Sequence, residues 1–134
     1  MKRFALYAGL VVAAHISTVG WHLLLVSKIH PGMLTPPIGR FTFMTGLLPA
    51  TAFVLLCTRF RRIGGVLLAI ALGIGLGIGT YEHFLGTGPN NVFLVGSRPY
   101  TAAFRASCVL LLILEIIGCA IGIQAARSRP LQTA

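Results

Sequence analysis

Nonpolar residues in this chain come in long blocks rather than in alternation. Four blocks, roughly residues 4–26, 41–57, 63–84 and 100–126, are separated by short segments carrying Pro, Gly, Lys or Arg. A helix needs about 20 apolar residues to cross a bilayer, and the second block lies near the lower bound of about 17. Barrel strands are disfavoured, because they alternate polar and apolar positions over runs of about 10 residues. The pattern predicts an all-α polytopic membrane protein, a four-transmembrane-helix bundle that occupies residues 1–134 as one domain. Outer loops are expected at 27–40 and 85–99, with a tight inner loop at 58–62.

Composition agrees with that reading. Hydrophobic residues make up 56% of the chain and charged residues 10%, against about a quarter charged in soluble domains. A net charge of +9 would suggest nucleic acid in a soluble protein. Here the basic residues sit at the ends of apolar blocks, where anionic lipid headgroups are the natural partner and nucleic acid is not expected. Lys2, Arg3, Arg59, Arg61, Arg62, Arg127 and Arg129 fall on one side of the predicted bundle. Lys28, Arg40 and Arg98 fall on the other, with Arg105 just inside it. The excess marks the first side as cytoplasmic, so both termini are expected there, in a bacterial-type inner membrane. The opening MKRF and its apolar run imitate a secretory signal, but the run is long and has His15 at its centre, so a retained first helix is expected. Cys57, Cys108 and Cys119 show no CxxC spacing and read as small apolar fillers.

Within the blocks, polar residues are few and placed. The first carries His15, Thr18 and His22 at helical offsets that put them on one stripe. The second contains Pro49, which deprives the Thr45 carbonyl of its helical partner and is expected to kink the helix. The third holds a glycine ladder, Gly73, Gly75, Gly77 and Gly79, with two overlapping GxxxG matches. It is expected to be a close-packing face toward other helices or another subunit. In the fourth, Cys108, Glu115, Cys119 and Gly122 share a stripe. The first outer loop is proline-rich and expected to be non-helical, with His30 open to water. The apolar VFLV of the second outer loop is expected to anchor in the membrane interface, with folding back over the bundle mouth as the alternative.

The chain has two carboxylates, Glu82 and Glu115, and both lie in apolar blocks. A charged group at mid-membrane costs roughly 2.5–3.5 kcal/mol on insertion scales, so such residues tend to face protein or water and to mark a function. Two depth-matched groups emerge: His22, Glu82, His83 and Arg105 near the outer boundary, and His15 with Glu115 near the centre. Glu82 and Arg105 could simply pair and close a helical hairpin. His15 and Glu115 could form a proton relay or cation site, or each could be satisfied locally, His15 by a threonine. His22 and His83 could ligate a haem or another tetrapyrrole, with Gly20 and Gly79 admitting the flat ring. No metal centre is expected: a zinc or copper site from His22, His30, Glu82 and His83 lacks any established ligand spacing. GxSxG, HExxH and Walker motifs are absent, so catalysis of its own is not expected.

The expectation is a non-catalytic accessory subunit or self-associating bundle, with an outward-facing polar pocket for a small ligand or lipid. Its partners would be the bilayer and other membrane subunits or copies of itself. A proton-coupled transporter using Glu115 is the first alternative, and a tetrapyrrole-binding electron-transfer subunit the second.

Overall fold

The computed structural model describes residues 2–128, and the chain is all-helical through them. Arg129, which the charge count includes, lies outside the described residues. Four long helices follow in order: α1 Lys2–Ile29, α2 Pro36–Leu56, α3 Arg61–Thr80 and α4 Thr101–Arg127. A single π-helical turn, Tyr81–Leu85, prolongs α3. Three segments are long and apolar enough to cross a membrane: Phe4–Ile29, Arg61–Leu85 and Thr101–Arg127. The apolar part of α2, Thr42–Leu56, is shorter than those three.

Local chemistry explains where the helices start and stop. α2 begins earlier than the proline content of the loop suggested. Pro36 and Pro37 occupy its first turn behind an extended Thr35, where the missing N–H groups would have had no helical partner anyway. That leaves only 30–35 as the first connection, turning at Gly32 with φ +87°. His30 is half-buried there and its Nε2 has no partner, rather than lying open to water. Pro49 is fully buried within α2, which continues past it to Leu56. At the other end of the bundle, the Thr58 hydroxyl accepts from the Phe60 N–H at 3.1 Å and turns the chain into α3.

Each helix packs on its sequence neighbours, and α1 closes the ring against α4. Consecutive helices are joined at alternating ends, by short connections at 30–35 and 57–60 and a longer one at 86–100, so the bundle runs up-down-up-down. Two apolar cores stack along its axis. The inner one joins Ala8, Val12, Ala52, Leu56, Leu68, Leu72 and Ala125. The outer one joins Leu25, Val26, Ile29, Phe104 and Cys108 with two loop residues, Val92 and Val95. The VFLV segment thus folds back over the mouth through its valines, while Phe93 and Leu94 point outward.

Close helix approach occurs at glycines, but not along the 73–79 ladder. A Cβ on Gly65 would lie 2.7 Å from the Gly122 carbonyl oxygen, and one on Gly122 the same distance from that of Gly65. Gly64 meets α2 similarly, 2.5 Å from the Leu56 amide nitrogen. These three glycines sit at the inner end, where α3 is tightest against its neighbours. In the ladder, Gly77 has nothing within 4 Å and Gly73 only the Cys119 sulfur at 3.8 Å. Gly75 and Gly79 face the Glu115 carboxylate instead of another backbone. Gly75 and Gly79 border a cavity between the two cores, and their missing side chains make room for an acid.

Candidate functional site

Between the apolar cores lies a buried polar layer. His15 on α1 and Glu115 on α4 meet there, Nε2 to Oε1, at 3.5 Å. Their depth is set by register: His15 lies fourteen residues before the end of α1, and Glu115 fourteen residues beyond the start of α4. At 1.5 Å per residue each is about 21 Å from the outer helix ends. Gly75 makes the meeting feasible, since a Cβ there would fall 2.6 Å from Oε1 of Glu115. Thr18 does not hold His15; its hydroxyl donates to the Ala14 carbonyl at 2.8 Å. The other ring nitrogen of His15, Nδ1, is buried without a hydrogen-bond partner. Such an atom is costly, about 1–3 kcal/mol, unless a ligand or water meets it.

One to two helical turns outward, three more side chains converge. The π turn ends where the Gly86 N–H donates to the Tyr81 carbonyl at 2.6 Å. This widened turn carries His83 inward and leaves Glu82 exposed. His83 Nδ1 donates to the Asn90 carbonyl at 3.2 Å. On α4 the Ser107 hydroxyl donates to the Phe104 carbonyl at 2.7 Å, so its oxygen accepts from Nδ1 of His22 at 2.9 Å. Phe104, fully buried, stacks on the His22 ring with centroids 5.2 Å apart. The two imidazoles touch edge to face at 4.8 Å. Cys108 lies beside them, its sulfur 3.9 Å from His22 Nδ1. One donor atom from each of His22, His83 and Cys108 falls within 4.8 Å of the others.

These groups line one cavity of about 500 Å³, reached by all four helices. His15 and Glu115 form part of its wall, His22, His83 and Cys108 another part. Val19, Leu23, Ile78 and Leu111 supply apolar lining, and Thr45, whose carbonyl Pro49 cannot serve, also faces it. Glu82, exposed yet among the lining residues, belongs to its rim.

Arg105 stands apart from the expected outer group. It does not line the cavity, and among the described residues the one ion pair within 4 Å is His15–Glu115. The Arg105 Nε donates instead to the Val92 carbonyl at 2.7 Å, pinning the second loop across the mouth. The loop is further held by Asn91, whose Nδ2 donates to the Gly86 carbonyl at 2.7 Å while its Oδ1 accepts from the Phe93 N–H at 2.8 Å.

The residues do not fit a tetrapyrrole held between His22 and His83. Such a ring needs the imidazoles on opposite faces of a flat slab, whereas these meet edge to face with Phe104 packed against both. Gly20 borders a different groove, between α1 and α2. Cys108, read from sequence as an apolar filler, does pack in the outer core, and it also lies beside the two imidazoles. A usable signal of shared depth existed: His22 lies seven residues inside one end of α1 and Cys108 seven residues inside the matching end of α4.

Fold and site together define a small all-helical bundle, with three helices able to cross a membrane and a polar-lined cavity between two cores. No family model, curated protein or solved structure matches the chain.

Proposed function

We propose that this chain is an integral protein of a bacterial-type inner membrane, spanning it four times with both termini in the cytoplasm. Its cavity takes up a small amphipathic molecule or lipid, without catalysis of its own. The apolar part of α2, Thr42–Leu56, would cross as a short fourth span beside the three longer ones. The basic bias of the inner end supports the orientation. Large apolar side chains such as Ile63, Val66, Ile70 and Ile74 are exposed along α3, as lipid or a partner subunit would require. The observation that carries the ligand reading is the unpartnered Nδ1 of His15, in the wall of a cavity whose size falls within the range of about 300–1,000 Å³ usual for small-molecule sites. A ligand with a hydrogen-bonding head would satisfy His15 and Glu115, and its apolar body would lie along Leu23, Ile78 and Leu111.

Native mass spectrometry of the protein released from lipid nanodiscs tests this. A bound species should persist in the wild type and be lost in Gly79→Leu, which fills the cavity beside Glu115. Equal occupancy in both proteins refutes the reading. The buried acid–imidazole contact also favours a second reading, a proton-coupled transporter working through Glu115. Proteoliposomes loaded with a pH-sensitive dye would then show proton flux that Glu115→Gln abolishes without unfolding the bundle. Flux that survives the substitution excludes it.

A further inference from the structure

We propose that His22, His83 and Cys108 form a binding site for a late transition-metal ion of borderline-to-soft character, zinc(II) or copper(I). The three residues come from three different elements, α1, the π turn and α4, yet bring one donor atom each to within 4.8 Å of one another. A tetrahedral site with metal–nitrogen bonds of about 2.0–2.1 Å and a metal–sulfur bond of about 2.3 Å sets its donors roughly 3.3–3.6 Å apart. Closing the difference takes a movement of about 1 Å, within the reach of side-chain torsions.

Both imidazoles are already held as metal-bound histidines commonly are. Ser107 takes the Nδ1 proton of His22, and the Asn90 carbonyl takes that of His83. On His83 this fixes the tautomer that leaves Nε2 with a free lone pair. On His22 the nitrogen nearest the Cys108 sulfur is the Nδ1 that Ser107 holds, so metal binding requires that ring to turn and present Nε2. Outer partners of this kind orient metal ligands. Phe104 packs against both rings and restricts their rotation. The Cys108 sulfur lies beside Nδ1 of His22 and the Ser107 side chain. Imidazole with thiolate suits zinc and copper(I), and disfavours magnesium, calcium and manganese, which prefer oxygen. On binding, the metal–sulfur bond forms as the S–H bond of Cys108 breaks, and the proton leaves to solvent. All three residues line the cavity, so a fourth coordination position would open into it.

This inference concerns the same cavity but stands on separate observations. Absence of metal would leave the organic-ligand reading intact, and the reverse holds too.

The test uses the full-length protein without a polyhistidine tag, reduced, chelator-stripped and held in nanodiscs. Cobalt(II) serves as the spectroscopic probe, followed by displacement with zinc(II), and anaerobically with copper(I) against a chromophoric chelator. The expected result is one equivalent of cobalt(II) with a sulfur-to-cobalt charge-transfer band, displaced by zinc(II) or copper(I), whichever the site prefers. The band should vanish in Cys108→Ser and persist in the Cys57→Ser/Cys119→Ser double variant. His22→Gln and His83→Gln should each weaken zinc affinity by about 100-fold or more, and Ser107→Ala by about 10–100-fold. No thiolate band in the folded wild type overturns the proposal, as does undiminished binding in Cys108→Ser. Should that variant fail to fold, X-ray absorption on the zinc-loaded wild type decides: one sulfur and two imidazoles support the site, and an all-oxygen shell overturns it.

Discussion

Adding one methyl group at two glycines of this bundle should have unequal consequences, and the contacts say why. Gly122 on α4 faces the backbone of α3. A Cβ there falls 2.7 Å from both the Ala69 amide nitrogen and the Gly65 carbonyl oxygen, where ordinary contact begins at 3.4 Å. Neither atom can move without its helix, so α3 and α4 must part by about 0.7 Å at that crossing. A gap of 0.5–1 Å forfeits roughly a quarter to a half of each dispersion contact it opens. Overpacking of this kind costs about 1–3 kcal/mol. At Gly75 the added carbon falls 2.6 Å from Oε1 of Glu115, a shortfall of about 0.8 Å, but the obstacle is the end of a flexible side chain beside open cavity. The carboxylate can swing away, and alanine is the better helix former by about 1 kcal/mol. Gly122→Ala should therefore lower stability by about 1–3 kcal/mol in unfolding by SDS followed by circular dichroism. Gly75→Ala should unfold within about 1 kcal/mol of wild type, the helix gain being set against loss of the His15–Glu115 contact, while losing the occupant of the cavity. A Gly122→Ala protein as stable as wild type, or a Gly75→Ala protein that is the weaker of the two, would show that the crossing point has been misidentified.

Three further outcomes follow from the site. Asn91→Ala breaks two hydrogen bonds of a buried side chain and should cost about 2 kcal/mol, read from the same SDS titration. Arg105→Met removes the tie to the Val92 carbonyl, and hydrogen exchange should accelerate across 91–95 while the helices keep their protection. His15→Phe removes the unpartnered nitrogen and leaves Glu115 without its neighbour, so bound ligand should be lost on native mass spectrometry while the helical circular dichroism signal is retained.

Much of the architecture was legible because block length and continuity report directly on helices. The four expected blocks fall within a few residues of α1 to α4. Register was legible too: counting inward from the helix ends matches His15 with Glu115, although only the packing of α1 against α4 turns their faces together. What escaped was decided by contacts between distant segments. GxxxG spacing says that a backbone could be approached, not by what, and the ladder turned out to admit a carboxylate while Gly64, Gly65 and Gly122 made the tight crossings. Arg105 could not be assigned from depth alone, because its partner is a carbonyl of an irregular loop. That the Cys108 thiol packs beside two imidazoles could not be read from spacing, since it depends on how α1, the π turn and α4 meet. The π turn had no signature beyond the glycines before it, yet it aims His83.

The contact between His15 and Glu115 joins the first helix to the last, and that has a bearing on biogenesis. The two residues are 100 positions apart in the chain. At a synthesis rate of about 5–20 residues per second, the imidazole is made about 5–20 s before its acid. If the bundle is embedded as proposed, α1 waits through that interval with a polar group facing acyl chains or the insertion machinery. A nascent chain truncated before α4 would never relieve it. Full-length molecules alone can hide the group, so this one pairing would let a cell's membrane proteases tell finished copies from abandoned ones.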